Sequence, residues 1–120
     1  MRILLAEGGS ATRFAMCTLL EQRPGWLVVG EVSSADQLPR KIDDKKPDVI
    51  LVDWNLPELK VPDLFQTLHQ QYPQMSIIVL SGRPEYRKNA IAAGADAFVS
   101  KVDPPDRLLD AISSISEHTQ

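Results

Sequence analysis

The sequence predicts one doubly wound α/β domain in which five parallel strands alternate with five helices. Two observations lead to this fold class. The chain has 120 residues, of which 43% are hydrophobic, so it can build one proper core. Its short apolar runs are continuous, which is typical of strands covered on both faces, and segments with helical spacing lie between them. The predicted strands are 3–6, 26–29, 49–52, 77–80 and 97–99.

Apolar residues at helical spacing predict the five helices. Ser10 is placed to cap the first, and prolines mark the beginnings of the others: Pro39, Pro62, Pro84, Pro104 and Pro105. Gly94 is placed to end the fourth. The inner face of the first helix is expected to carry Ala11, Phe14, Ala15 and Leu19. The apolar residues that indicate the others are Ala35, Leu38 and Ile42, then Leu64, Phe65 and Leu68, then Ala90, Ile91 and Ala93, and finally Leu108, Leu109, Ile112 and Ile115 on one face of the last helix. Alternating strands and helices imply right-handed crossovers, with helices on both faces of the sheet.

The composition excludes several functional classes. Thirteen Lys and Arg against sixteen Asp and Glu give a net charge of −3, which argues against a direct nucleic-acid surface. The single cysteine, Cys17, rules out an intramolecular disulfide and a zinc site built from several thiolates. No stretch approaches the ~20 apolar residues of a membrane span. We expect a cytoplasmic domain that contacts neither nucleic acid nor membrane.

Charged and hydroxyl side chains follow four of the predicted strands. They are Glu7, Asp53, Ser81 and Lys101. In such sheets the functional crevice lies at the carboxyl ends of the strands, and a flavodoxin-like strand order of 2-1-3-4-5 makes Glu7 and Asp53 face each other. Two nearby carboxylates repel unless a cation or proton lies between them. From the residues alone, Lys101 or a hard divalent metal could supply that charge, and a structural ion pair is an equal alternative.

Three segments carry a resemblance to a known family. DVILVDWNLP at 48–57 resembles the phosphoacceptor strand and loop of two-component response-regulator receiver domains. GADAFVSK at 94–101 resembles the last strand and lysine of that family, and VLSG at 79–82 resembles the strand that ends in its switch hydroxyl. The resemblance spans residues 1–120 as a single receiver domain, and the segment 104–109 is most similar to receivers with a helix-turn-helix output domain.

The resemblance implies roles for the residues at the carboxyl edge. Asp53 would accept a phosphoryl group from a histidine kinase, Lys101 would pair with a phosphoryl oxygen, and the Ser81 hydroxyl would donate to another. Catalysis would amount at most to slow autophosphorylation from a phosphodonor and slow autodephosphorylation. Mg²⁺ would be held by Glu7, Asp53 and the backbone carbonyl of Asn55.

The resemblance also implies a switch and its partners. Ser81 and Phe98 would be the switch residues, moving the face formed by the fourth helix, fifth strand and fifth helix. The implied partners are a histidine kinase and a downstream output domain or protein, with a role in transcription regulation. A homodimer is compatible with the resemblance.

Two of the departures from the family pattern bear on the metal site and the neighbouring loop. Gly8 stands where the family usually has a second acid, so Mg²⁺ binding should be weakened. Val61 stands where a glycine is common, and the loop is expected to take another path because valine avoids positive φ. Gly8 keeps one alternative open, a phosphorylation-independent interaction module. Another is a small-anion site at the turn of Gly8, Gly9 and Ser10.

The remaining candidates receive no catalytic role. Cys17 is expected to be unreactive within the first helix, and His69 and His118 are isolated in the sequence. Trp54 follows Asp53 directly and is placed either to report on the site or to pack. The polar segment 113–120 is expected to fray.

Overall fold

A five-stranded parallel sheet forms the centre of the molecule. The computed structural model describes residues 1–118, with side chains described through Ile115. The strands are β1 (Arg2–Ala6), β2 (Leu27–Val32), β3 (Val49–Asp53), β4 (Ser76–Ser81) and β5 (Ala97–Ser100). Their order is β2-β1-β3-β4-β5, and all neighbouring pairs are parallel. The predicted strands and the predicted order are confirmed.

Burial differs between the central strands and the edge strand β2. Every residue of β3 and β4 is buried, as the continuous apolar runs predicted. The expectation of two covered faces is wrong for β2, which is one of the two edge strands. Its residues are mostly half-buried, and Leu27 is exposed.

Five helices cover the two faces of the sheet, as predicted. They are α1 (Ser10–Leu20), α2 (Leu38–Lys45), α3 (Asp63–Gln71), α4 (Arg87–Ala92) and α5 (Pro105–His118). Short 3-10 turns at Ala35–Gln37 and Pro84–Tyr86 precede α2 and α4. Successive side chains of a strand point to opposite faces, so Leu4 packs with α2, α3 and α4, whereas Leu5 packs with α1 and α5.

The predicted inner face of α1 is wrong except at Leu19, which is half-buried against the core. Phe14 is 75% exposed, and Ala11 and Ala15 are also exposed. Leu20 is the buried residue of this helix, and Arg13 is turned toward the end of β1, where its guanidinium binds backbone carbonyls. Met16 and Cys17 lie on the same side of the helix as Arg13 and Leu20 and pack against the core. The predicted cap is also wrong, because Gly9 occupies the N-cap position and Ser10 is the first helical residue.

The loop between β3 and α3 follows the path that Val61 requires. Positive φ falls at Glu58, where it is 63°, whereas Val61 precedes Pro62 across a cis peptide bond. Pro62 is the N-cap residue of α3, one position before the first turn in which it was expected. Gly94 ends α4 as predicted, and its φ of 114° is a conformation that favours glycine.

The last helix is longer than expected. It continues through His118, so residues 113–118 are helical and the expected fraying does not begin at Ser113. Residues 119 and 120, the end of that polar segment, lie outside the described residues. Within residues 1–118, no helix is long and apolar enough to cross a membrane.

Candidate functional site

Three strand ends bring the predicted charged residues to one edge of the sheet. Asp53 is the last residue of β3, and Glu7 and Lys101 directly follow β1 and β5. The Glu7 N–H donates to the Val32 carbonyl at 3.0 Å, and the Lys101 N–H donates to the Ser81 carbonyl at 2.8 Å. The backbone hydrogen bonding of the sheet therefore extends to both residues and fixes where their side chains emerge.

The Lys101 ammonium lies between the two carboxylates. Its Nζ is 2.8 Å from Glu7 Oε2 and 2.9 Å from Asp53 Oδ2. Glu7 is 6% exposed and Asp53 is 7% exposed. Glu7 Oε1 accepts the Gly9 N–H at 3.3 Å, and Asp53 Oδ1 accepts the Asn55 N–H at 3.0 Å. Every carboxylate oxygen of the pair thus has a donor, which is the requirement for burying such charges.

The same contacts shift two pKa values in opposite directions. Burial of the Asp53 carboxyl acts to raise its pKa, but hydrogen bonding that involves Glu7, the Asn55 N–H and Lys101 outweighs burial, and the pKa is lowered. Burial acts to lower the pKa of Lys101, but its contacts with the two carboxylates raise it. Both shifts favour the charged forms of Asp53 and Lys101.

Ser81 and Asn55 lie at the same edge. Ser81 ends β4 and is buried, and its hydroxyl oxygen accepts the Arg83 N–H at 3.1 Å. Among the hydrogen bonds of the described residues, this one leads to the β4–α4 loop and not to the charged cluster. The Asn55 backbone N–H contacts Asp53, while the residue itself is exposed.

Phe98 and Trp54 connect this edge to α4. Phe98 is buried, and the guanidinium carbon of Arg87, the first residue of α4, lies 5.1 Å from the centre of its ring. The Trp54 ring lies 6.4 Å from that of Tyr86, in the turn that precedes α4. Aromatic contacts of this kind make both side chains sensitive to movement of α4.

The oxygen ligands at this edge fit Mg²⁺, but they carry one carboxylate fewer than an acidic residue at position 8 would provide. Two buried carboxylates offer the hard oxygen ligands that Mg²⁺ prefers. Among the side chains that the structure describes, which end at Ile115, however, no three from His, Cys, Asp or Glu converge as a metal site. Gly8 contributes no carboxylate, and a Cβ added there would lie 3.3 Å from Pro57 Cδ. Lys101 already neutralises part of the charge that would attract a cation.

The glycine turn is occupied by groups of the protein itself. The Gly9 N–H donates to Glu7, and the Arg13 guanidinium binds the carbonyls of Glu7 and Gly8. An external anion would have to displace the Glu7 carboxylate from the Gly9 N–H. These contacts argue against the alternative of a small-anion site at this turn.

Cys17 and His69 lie outside the cluster. Burial, together with the nearby Glu31 carboxylate, raises the pKa of the Cys17 thiol to about 11, which supports the expectation of an unreactive thiol. His69 contacts Asp96, since its Nε2 lies 3.0 Å from Asp96 Oδ2. The His118 side chain lies outside the described residues.

Two arginines of the site were missed in the sequence. Arg13 and Arg87 are single basic residues on helices, and nothing in their spacing distinguishes them from solvated surface charges. For Arg13 a weak signal existed, since it lies one helical turn after the glycine pair and therefore over the end of β1. Arg87 had no comparable signal, because its contact with Phe98 depends on how α4 packs.

Comparison with known proteins gives a consistent family assignment. A family described as response regulator receiver domain matches residues 3–113. The chain is 27% identical to a chemotaxis protein CheY of Thermotoga maritima, covering 97% of this chain and 98% of that protein. It is 30% identical to the uncharacterized transcriptional regulatory protein YhcZ of Bacillus subtilis, covering 91% of this chain and 52% of that protein.

A solved structure shows the same fold. A LuxR-family two-component response regulator from an Aurantimonas species superposes with a TM-score of 0.86 at 28% sequence identity, covering 95% of this chain and 83% of that one. The chain therefore spans nearly all of the chemotaxis protein but only about half of the transcriptional regulatory protein.

Proposed function

The chain belongs to the response regulator receiver domain family, and from this premise we propose that Asp53 accepts a phosphoryl group from a histidine kinase in two-component signalling. One observation carries the proposal. Asp53 is a buried carboxylate at the end of β3, and its Oδ2 lies 2.9 Å from the Lys101 ammonium. This combines a positioned nucleophile with a fixed positive charge for the phosphoryl oxygens, and phosphoryl transfer depends mainly on such positioning and neutralisation.

The reaction makes one bond and breaks one. A carboxylate oxygen of Asp53 attacks the phosphorus of a phosphohistidine, the P–N bond breaks, and the electron pair returns to the imidazole, which takes up a proton. The lowered pKa of Asp53 keeps the nucleophile ionised. Bound Mg²⁺ would supply further neutralisation of oxygen charge, held by Glu7, Asp53 and the Asn55 carbonyl. Lys101 then redistributes its contacts from the two carboxylates to a phosphoryl oxygen.

The proposed output runs through Ser81 and Phe98. The Ser81 hydroxyl oxygen accepts a hydrogen bond from the Arg83 N–H. The hydroxyl proton of Ser81 therefore remains available to donate to the phosphoryl group. Movement of Ser81 would pull on the β4–α4 loop and so alter the packing of Arg87 on Phe98. The face of α4, β5 and α5 would then favour a second conformation and signal to an output domain or partner.

We also propose a cellular location and role for this domain from its relatives. We take residues 1–120 as one receiver domain that acts in the cytoplasm, as its likeness to a chemotaxis protein and to a transcriptional regulatory protein suggests. A role in transcription would require an output domain beyond the region that this chain shares with the longer relative.

A phosphodonor assay tests the proposal. The protein is incubated with Mg²⁺ and acetyl phosphate, and its intact mass is measured with Asp53→Asn as the control. We expect one phosphoryl adduct on the native protein and none on Asp53→Asn. An adduct that persists in Asp53→Asn would place the modification elsewhere and contradict the proposal.

The phosphorylation-independent module gains no support from the comparisons. Gly8 is the feature that favours it, but Asp53, Ser81 and Lys101 all remain at the carboxyl edge. Absence of an adduct with acetyl phosphate and with a cognate kinase would be the result that revives this alternative.

A further inference from the structure

The Arg13 guanidinium binds the turn from which Glu7 enters the pocket. Its Nη1 donates to the Glu7 carbonyl at 2.8 Å and to the Gly8 carbonyl at 3.2 Å, and its Nε lies 3.4 Å from Glu31 Oε1. The Arg13 side chain is only 21% exposed. We propose that Arg13 is a positioning residue that keeps the Glu7 carboxylate turned toward Lys101 and Asp53. The proposal rests on the proposed function, because it concerns the pocket in which the phosphoryl group is accepted.

Peptide geometry carries the effect of Arg13 to the carboxylate. The Gly8 carbonyl and the Gly9 N–H belong to the same trans peptide, whose planarity makes them point in opposite directions. By binding the Gly8 oxygen, Arg13 directs the Gly9 N–H to the other side of the turn. There the N–H donates to Glu7 Oε1 at 3.3 Å.

The second oxygen of Glu7 completes the connection. Glu7 Oε2 accepts from Lys101 Nζ at 2.8 Å, and the same Nζ reaches Asp53 Oδ2 at 2.9 Å. A continuous series of hydrogen bonds therefore leads from Arg13, through one peptide and Glu7, to Lys101 and Asp53. Loss of the first contact frees the peptide to rotate and removes one of the two donors that orient Glu7.

This turn needs such a restraint because it contains two consecutive glycines. Glycine has the largest conformational freedom of any residue, so an unrestrained turn of Gly8 and Gly9 would sample many orientations. Gly8 also lacks a side chain that could fix the turn through a metal ligand. Arginine suits the task because its several donors can bind two carbonyls and a carboxylate at once, whereas lysine offers a single point of attachment.

The Gly9 amide proton reports on this arrangement without metal or phosphodonor. We compare its NMR chemical shift in the native protein, in Arg13→Ala and in Arg13→Lys, with Arg40→Ala as the matched control. Arg40 is an exposed arginine on α2, so its loss changes the net charge equally. Thermal melts verify that each variant is folded. Arg13→Ala should move the Gly9 proton upfield, Arg13→Lys should retain part of the native shift, and Arg40→Ala should leave it unchanged.

The phosphorylation rate provides the second measurement. At saturating acetyl phosphate and Mg²⁺, Arg13→Ala should form the Asp53 adduct roughly 10-fold more slowly, as expected for loss of a group that orients a ligating side chain. Arg13→Lys should recover part of the rate. An unchanged Gly9 shift in Arg13→Ala, or an equal change in Arg40→Ala, would overturn the positioning role. If the native protein forms no adduct, the proposed function fails, and the Gly9 shift alone still decides the role of Arg13.

Discussion

Lys101 Nζ and Asp53 Oδ2 lie 2.9 Å apart, although 48 residues separate them in the chain. The same ammonium is 2.8 Å from Glu7 Oε2, so one cation is shared by two buried anions. Of the alternatives that the sequence left open, the structure shows the contact of Lys101 with both carboxylates, whereas a divalent metal stays a prediction. The two carboxylates also offer the oxygen ligands that the proposed Mg²⁺ would need.

Removal of the Lys101 ammonium should destabilise the fold, and removal of the Asp53 charge should partly reverse this loss. Lys101→Met leaves two carboxylates facing each other, and we expect a loss of about 1–2 kcal/mol in the free energy of unfolding at pH 7, less than for a fully buried pair because Lys101 is partly exposed. Adding Asp53→Asn should restore much of that loss. Urea denaturation of both single variants and the double variant measures the coupling, and strict additivity would contradict it.

The fall in the free energy of unfolding at acid pH should depend on Asp53. Because its pKa is lowered in the folded state, Asp53 contributes stability that is present above about pH 4 and is lost as the pH falls through the folded pKa. Asp53→Asn should therefore show a flatter decline below about pH 4. Asp110→Asn, on the exposed side of α5, is the control and should follow the native curve. Chemical denaturation at several pH values measures both, and identical slopes would contradict the prediction.

The alkaline limb should depend on Lys101 with the opposite sign. Its raised pKa gives a contribution that is fully present below about pH 10 and is lost as the pH rises through the folded value. Lys101→Met lacks this contribution and should show a flatter decline at high pH. Denaturation curves above about pH 10 test this, and an equally steep loss in Lys101→Met would exclude Lys101 as its source.

Gly8→Asp should tighten Mg²⁺ binding by restoring the missing carboxylate. The new Cβ would lie 3.3 Å from Pro57 Cδ, so a small packing penalty of about 1 kcal/mol is expected. Gly8→Ala introduces the same Cβ without the carboxylate and is the matched control. Mg²⁺ titration followed by Trp54 emission compares the three proteins. Equal affinities for Gly8→Asp and Gly8→Ala would show that residue 8 does not face the metal site.

Ser81→Ala should separate phosphorylation from its output. The adduct on Asp53 should still form, more slowly, because Asp53 and Lys101 remain. The amide shifts that phosphorylation causes around Phe98 should be lost, since the hydroxyl that pulls on the β4–α4 loop is absent. Ser100→Ala removes a buried hydroxyl at the neighbouring strand end and should keep those shifts. NMR spectra before and after acetyl phosphate make the comparison, and native-like shifts in Ser81→Ala would contradict the prediction.

The sheet was predictable from the sequence because each strand and helix is indicated by the pattern of residues within its own segment. Continuous apolar runs at β3 and β4 identify strands covered on both faces, and the intervening periodicity identifies the helices. The rotation of α1 is the exception, because two apolar stripes compete in its sequence. The structure packs Met16, Cys17 and Leu20 on the core, with Arg13 on the same side binding carbonyls of the β1–α1 turn, and Phe14 faces outward.

The position of the charged cluster was predictable from the sequence, but the orientation of its side chains was not. Parallel strands end at one edge, so Glu7, Asp53 and Lys101 had to emerge together once the strand order was right. The orientation of Glu7 was not predictable, since it depends on the Gly9 N–H, a backbone donor without a sequence signature. The contact of Arg87 with Phe98 was likewise hidden, because it follows from how α4 rests on β5.

The cluster is assembled from segments that are distant in the chain, since 94 residues separate Glu7 from Lys101. The cluster forms only when β5 pairs with β4, because this pairing brings Lys101 within reach of Glu7 and Asp53. A nascent or partly unfolded chain therefore lacks the assembled cluster. If Asp53 accepts a phosphoryl group as proposed, only molecules that have completed their folding can do so.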